Sequence, residues 1–388
     1  MANFISNFFI KIYNNFNVLK NINFLKKKKI KFIFYSENKS YQKYALLLIK
    51  TLANKYPGEV YYVSSDLNDK INDPNIKSFY IGSGLLRQFF FLLIQSENIF
   101  LTITDLDNHS LKKTKNIKNY IYYFHSPVST TKVYTNSAFD NYDTILCNGN
   151  YQIQEIQQRE ILKNLPKKKL IKNGYFYFDQ LINNIDLDKK LDEILIAPSW
   201  SYNEEYFINE NFINIVNTLL KKKFKVRFRP HQEHFKRSKI ILDEIKKNMI
   251  NKNFIYDISS KNMNAMENAK CLITDNSGIA IEYTLILKRP VLYFDDKEKL
   301  HNLELNDYKN LINLEDNVKN TFGYSFKKND IEKIDLLINK LIINFSSRKP
   351  EIDNFLNNNF FNNNNTSNFF TNNMNDILVK SVVNKFKN

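Results

Sequence analysis

The sequence predicts an α/β protein made of two doubly wound, Rossmann-like halves facing each other across a cleft. Three observations carry this. Short apolar runs alternate with helix-period segments through most of the chain; the alternation stops once, in a polar, charged stretch around Asp186 to Leu191, and then restarts. Several runs end in polar or glycine-containing turns. Continuously apolar strands separated by helices indicate a parallel sheet covered on both faces, and 388 residues suffice for two cores.

Residues 1–29 form a basic amphipathic segment, with Ile5, Phe8, Phe9, Ile12, Phe16 and Leu19 at helical spacing and Lys26 to Lys29 following. Such a stripe suits either a helix lying on an anionic membrane surface or one packed on its own domain. The first half, 30–188, is expected on the acceptor side. Its predicted strands are Ile30 to Tyr35, Val60 to Ser64, Ser78 to Ile81, Ile99 to Thr104, Tyr120 to His125 and Thr144 to Cys147, with helices at Tyr41 to Lys55, Leu85 to Gln95 and Tyr151 to Lys163. Phe89 to Ile94 is too short an apolar run to span a bilayer and reads as core.

The second half, 189–345, is expected to bind the donor nucleotide. Strands are predicted at Ile194 to Ala197, Lys225 to Phe228, Phe254 to Ile258, Cys271 to Thr274 and Val291 to Phe294, and helices at Glu205 to Leu220, Lys236 to Met249, Met263 to Lys270 and Ile279 to Lys288. The repeat of one architecture matches two-domain nucleotide-sugar transferases. The tail, 346–388, is so rich in asparagine that it reads as a loose linker, with a short terminal helix expected from Ile377 to Phe386.

Lys, Asn, Ile, Phe and Tyr are heavily used while Gly numbers 7 and Pro 8, the composition an AT-biased genome produces. The net charge of +16 is dispersed and accompanied by no nucleic-acid motif, so a nucleic-acid partner is not expected. Cys147 and Cys271 sit in apolar runs as buried thiols, implying a reducing compartment and neither disulfide nor metal site. No run approaches a membrane span and no small-residue cleavage site follows the N-terminus. A cytoplasmic location is expected, with peripheral contact to the inner face of the membrane left open; no cofactor is expected.

The chemistry concentrates between Cys271 and Asp296. There an apolar strand meets the turn Asp275-Asn276-Ser277-Gly278, a helix follows, and Val291 to Phe294 forms a second strand. A turn at the carboxyl end of a parallel strand is where open α/β sheets bind ligands, and backbone N–H groups at Ser277 and Gly278 suit a phosphate, although the same residues also make an ordinary helix cap. Asp275 is expected to order the turn, since a carboxylate aimed at a diphosphate would repel it. Glu282 is expected either to bind donor hydroxyls or to face solvent. Arg229 can contact phosphate oxygens through two N–H groups, and His231 beside it can reach a bridging oxygen. His125 ends a strand of the first half and is the candidate base for the acceptor hydroxyl. His234 reads as a surface residue, and His231 with His234 lacks a third ligand, so no metal is expected.

These residues resemble the CDP-glycerol glycerophosphotransferase family, the teichoic-acid primase and polymerase type with a GT-B-like fold. The matching segments are Ala197-Pro198-Ser199-Trp200, Arg229-Pro230-His231, Thr274 to Gly278 through Glu282-Tyr283, and Lys288 to Phe294, with Phe124 to Pro127 and Asn173-Gly174-Tyr175 followed by Asp179 in the first half. The likeness covers about residues 118 to 300. It implies a CDP-polyol donor, most readily CDP-glycerol, a lipid-linked or surface-glycan acceptor, release of CMP, and donor contacts from Ser199, Arg229, Asp275, Asn276, Ser277, Gly278 and Glu282. The chain departs from the pattern at Asn276-Ser277-Gly278, where two serines are usual, and at Ser126-Pro127, where glycine and threonine are usual. A serine-glycine pair after aspartate also resembles UDP-sugar 2-epimerases, so a UDP-sugar-using glycosyltransferase or epimerase is the alternative.

Overall fold

The structure, a computed structural model, describes residues 2–108, 111–186, 191–200, 207–259, 262–295, 302 and 304–378; side chains are described from residue 13 onward except at 262–264. Its strands are β1 (Lys29–Ser36), β2 (Val60–Ser64), β3 (Ile76–Tyr80), β4 (Gln95–Leu101), β5 (Ile117–Tyr123), β6 (Thr144–Cys147), β7 (Lys169–Lys172), β8 (Glu193–Ile196), β9 (Lys225–Phe228), β10 (Phe254–Tyr256), β11 (Ala269–Thr274), β12 (Val291–Phe294) and β13 (Tyr324–Phe326). Its helices are α1 (Ala2–Leu25), α2 (Lys39–Lys55), α3 (Leu85–Leu93), α4 (Asn150–Leu162), α5 (Phe176–Asn184), α6 (Glu210–Lys221), α7 (Gln232–Arg237), α8 (Lys239–Asn248), α9 (Asn262–Asn268), α10 (Ile279–Leu285), α11 (Leu314–Phe322), α12 (Ile334–Phe345), α13 (Lys349–Asn359), α14 (Thr366–Asn372) and α15 (Met374–Ile377). The chain divides into two compact units: Met1–His125 with Thr135–Tyr177 and Asn364–Asn388, and Ser126–Tyr134 with Phe178–Asn363.

The first unit holds a seven-stranded sheet in the order β3-β2-β1-β4-β5-β6-β7, with every pairing parallel. Its central strands are apolar on both faces, as burial on both sides requires. Helix α2 starts where the Asn38 side chain accepts from the Ser40 N–H. It buries Ala45, Leu48, Ile49, Leu52 and Ala53 against Phe32, Phe34 and Phe100.

Two expectations in this unit need correction. Helix α3 is not core throughout: Phe90 and Phe91 are buried, but Leu85, Phe89, Leu92 and Leu93 are exposed, because a run apolar on all sides has only one side to pack. The asparagine-rich tail is not loose. Helix α13 buries Ile352 and Leu356 in the second unit, and α14 and α15 return to the first, where Phe370, Met374 and Ile377 complete the core around Phe100 and Phe176. Widely spaced apolar residues suffice to dock each helix. The expected helix from Ile377 to Phe386 lies mostly outside the described residues.

The return is fixed by buried polar bonds. Asn119 donates to Asn98 Oδ1 at 3.0 Å and to the Ile377 carbonyl at 3.3 Å, and accepts from Thr144 at 2.9 Å. These side chains stand on adjacent strands, so satisfying them ties β4, β5 and β6 to the end of α15.

The second unit holds a six-stranded parallel sheet in the order β10-β9-β8-β11-β12-β13. Chain order thus runs outward from β8 in one direction, then resumes at β11 beside it. A segment from before β6, Ser126–Tyr134, belongs to this unit and is strapped onto the start of α11. Ser129 N–H donates to Glu315 at 3.1 Å, Ser129 Oγ accepts from Leu314 N–H at 2.8 Å, Thr131 bonds Asn313 at 3.0 Å, and Lys132 pairs with Asp316 at 2.8 Å. Burial raises the Glu315 carboxyl above its ordinary range, against the lowering effect of the Ser129 N–H.

Candidate functional site

In the second unit all strands are parallel, so the residues that follow β8, β9, β10 and β11 emerge on one edge of the sheet. The order reverses between β8 and β11, which makes that gap the switch point where open α/β sheets hold ligands. The structure closes the gap with an anionic bridge. Asp275, just after β11, accepts from Ser199 N–H at 2.7 Å and from Ser199 Oγ at 2.6 Å, and Ser199 lies just after β8. Thr274 Oγ1 adds a bond to the Ala197 carbonyl at 2.6 Å. Both carboxylate oxygens of Asp275 therefore face the β8 loop, in keeping with an ordering role.

The turn continues through Asn276, Ser277 and Gly278, all half-buried, into α10. Gly278 has φ −58° and ψ −25°, a backbone any residue adopts, so its need for glycine is one of space. A Cβ there would lie 2.3 Å from Ser126 Oγ and 3.3 Å from Val128 Cγ1. The strap that follows His125 is thus laid directly on the turn. Ser126 was visible in the sequence only as a departure from a family pattern; nothing local marked it as a neighbour of residue 278. Glu282 is buried within α10, so its solvent-facing alternative does not hold.

Arg229, just after β9, is buried and already engaged. Its Nη1 lies 3.2 Å from Asp257 and 3.3 Å from Ser259 Oγ, and its Nη2 donates to the Ser259 carbonyl at 2.8 Å. The two N–H groups expected to grip a phosphate instead fix the loop after β10. Desolvation of Asp257 is outweighed by the Ser259 N–H and by Arg229 and Arg227, which hold the carboxyl below its ordinary value. The sequence could not show this pairing, because Asp257 ends a different strand.

His231 is the N-cap of α7. Its Nδ1 accepts from Glu233 N–H at 3.2 Å, so in the neutral ring the proton sits on Nε2, which can donate. The ring stacks on Trp200 with centroids 6.0 Å apart and planes at 29°, and the Arg237 guanidinium lies 5.2 Å from the Trp200 ring centre. His234 is not a surface residue: it is buried, and its Nδ1 accepts from His231 N–H at 3.0 Å, completing a reciprocal cap. Both histidine Nδ1 atoms are thus used to shape the loop after β9. Among the described residues, no group of three or more His, Cys, Asp or Glu is placed to hold a metal ion.

His125 lies just after β5 and is the last residue of the first unit before the strap. Its ring meets Tyr41 edge-on at 5.2 Å and Tyr44 at 6.1 Å, and Nδ1 is sealed from solvent. Although part of the residue is exposed, desolvation of the ring, reinforced by the Lys43 ammonium, pushes its pKa down to about 4. It is neutral at physiological pH. Cys147 and Cys271 are buried free thiols, and burial pushes Cys271 up to about 12 and Cys147 well above its ordinary value, which makes both inert.

Two parallel doubly wound units, each with polar loops at the carboxyl edge of its sheet, define an α/β protein of the GT-B class. Comparison with solved structures gives this fold a place. The wall teichoic acid polymerase TagF superposes with a TM-score of 0.59 at 16% identity over 97% of this chain and 98% of its own. A second structure of that polymerase, a variant soaked with CDPG, gives 0.56 at 16% identity over 96% and 98%. The Methanocaldococcus jannaschii UDP-GlcNAc 2-epimerase, solved with UDP-GlcNAc and UDP, gives 0.54 at 13% identity over 90% and 100%. No protein-family model and no curated protein matches the chain in sequence.

Proposed function

We propose that the chain is a transferase that moves a polyol phosphate, in the first instance glycerol phosphate from CDP-glycerol, to a hydroxyl of a membrane-linked or surface-glycan acceptor. The observation that carries this reading is the Asp275–Ser199 bridge at the switch point of the second sheet. It holds a turn of small, donor-rich residues where a nucleotide diphosphate belongs. The likeness to a teichoic acid polymerase over nearly the whole of both chains supports the choice of donor.

In this reading the acceptor oxygen attacks the phosphorus that bears glycerol. A new P–O bond forms, the bond to the bridging oxygen breaks, and CMP leaves with that oxygen. Ser199, Asn276, Ser277 and the Gly278 N–H bind the diphosphate, with Arg229 supplying fixed positive charge at the end of β9. His231 Nε2–H stabilises charge on the leaving oxygen. His125, unprotonated at neutral pH, takes the acceptor proton; a base of such low pKa acts late, once P–O bonding has made that proton acidic. CMP and a glycerol phosphodiester are the products.

The alternative, a UDP-sugar glycosyltransferase or 2-epimerase, draws on the epimerase likeness and on the Ser277-Gly278 pair. Chromatography of nucleotides released from CDP-glycerol, CDP-ribitol and UDP-N-acetylglucosamine in the presence of membrane extract separates them. CMP release that disappears in His231→Ala and His125→Ala is the expected result. Released UDP, or epimerised UDP-sugar, replaces the first reading with the second.

A further inference from the structure

We propose that α1 and α3 together form a docking surface for an anionic lipid bilayer, on which the first unit lies without spanning it. Helix α1 packs against β3 and α3. Its inner face is Val18, Ile22 and Leu25, with Asn21 Nδ2 donating to the Tyr80 carbonyl at 2.9 Å. Gly82 marks the junction with α3: at φ +74°, its absent Cβ would meet Leu86 at 3.1 Å and Val18 at 3.4 Å. The residues of α1 that turn away from this seam mix large apolar side chains, Tyr13 and Phe16 each 67% exposed and Leu19 54%, with exposed Asn15, Lys20 and Asn23.

Behind buried Phe90 and Phe91, helix α3 exposes Leu85 at 74%, Phe89 at 57% and Leu92 at 51%. Two touching helices that each bury one apolar face and leave other large apolar side chains uncovered require a partner that accepts them. Charge identifies it. The first 36 residues contain Lys11, Lys20, Lys26, Lys27, Lys28, Lys29 and Lys31 and no acidic residue, and Lys20 and Lys26 to Lys29 are exposed. On α3 the one cation, Arg87, is offset by Glu37 at 3.7 Å, and Lys31 on β1 pairs with Glu59 at 3.1 Å, so the positive field belongs to Lys20 on α1 and to the lysines of the turn that follows it. Aromatic and leucine side chains beside a lysine cluster match an acyl and headgroup boundary with negative surface potential. Among the described residues no helix is long and apolar enough to cross a membrane, so the contact is a peripheral one.

The test is co-sedimentation of the full chain with phosphatidylcholine vesicles made with and without phosphatidylglycerol. Wild type pellets with the anionic vesicles only. Lys26→Gln/Lys27→Gln/Lys28→Gln weakens this on the order of a hundredfold, at about fivefold per lysine, and Phe89→Glu/Leu92→Glu abolishes it. As a second readout, Leu92→Cys carries an environment-sensitive dye, placed selectively because the native thiols are buried; its emission shifts to the blue on anionic vesicles. Undiminished pelleting of the α3 pair, an unshifted dye, or equal binding to both vesicle types overturns the proposal. So does loss of a dimer in sedimentation velocity of the α3 pair, which would make the surface a contact between copies.

Discussion

Gly278→Ala is the sharpest probe of how the turn between β11 and α10 is built. The backbone at 278 is already helical, where replacing glycine by alanine ordinarily gains about 0.4–1 kcal/mol by restricting the unfolded chain. Here the added methyl would fall 2.3 Å from Ser126 Oγ and 3.3 Å from Val128 Cγ1. Rotating the serine hydroxyl away relieves the first contact, but the second remains tight and the strap must shift. Overpacking of this kind costs about 1–3 kcal/mol, so the net expectation is a loss of about 1–2 kcal/mol. Ser126→Ala removes the offending oxygen, leaving a Cβ-to-Cβ separation of 3.6 Å, which is ordinary contact. In that background only the contact with Val128 Cγ1 is still tight, so Gly278→Ala costs about 1 kcal/mol less than it does with Ser126 in place, and that difference is the coupling between the two sites. Urea unfolding followed through Trp200, the chain's single tryptophan and a member of the second unit, measures it. Stabilisation by Gly278→Ala in the presence of Ser126, or no recovery in the double variant, would refute the reasoning.

The Asp275–Ser199 bridge consists of two charge-assisted hydrogen bonds, so Asp275→Ala lowers the Trp200-reported unfolding free energy by about 2–4 kcal/mol and weakens CDP-glycerol binding, while Asp275→Asn, which keeps the shape, loses about half as much; calorimetric titration and urea unfolding check both. His125, held at about pKa 4 against about 6.5 when unfolded, makes stability fall as pH drops from about 6.5 to about 4, because the unfolded chain takes up the proton first. The effect is at most about 3 kcal/mol, and His125→Asn flattens that part of a stability-against-pH curve. Phe370→Ala empties a fully buried site between Phe100 and Phe176 and lowers first-unit stability by about 3–5 kcal/mol in thermal unfolding.

Most strands were readable because parallel strands buried on both faces are apolar with little interruption; Val60 to Ser64, Thr144 to Cys147 and Val291 to Phe294 coincide with β2, β6 and β12, while Lys225 to Phe228, which coincides with β9, alternates charged and apolar residues. Strands β7 and β13 escaped, since edge strands such as Lys169–Lys172 are polar at both ends. At the site, the turn at Asp275 was legible from local order alone. What was not legible depends on residues far apart in sequence: Asp257 claiming Arg229, the strap at Ser126 lying on Gly278, Trp200 receiving His231. His234 was misread because three residues of spacing cannot distinguish a solvent-facing ring from one turned inward to cap its neighbour. Helix α3 was misread because an all-apolar run conceals which side meets the protein.

The return of Phe370, Met374 and Ile377 to the first core has a consequence for biosynthesis. On a ribosome, strands β1 to β7 emerge early, yet the side chains that close their apolar surface and the carbonyl that Asn119 bonds come more than 190 residues after the last of those strands. The second sheet can assemble from its own contiguous strands while the first still waits with Phe100 and Phe176 uncovered. The earlier-made half of the protein is therefore the later to mature, and a translation arrest after Phe345 would release a chain whose second unit is folded and whose N-terminal half is prey to proteases and chaperones.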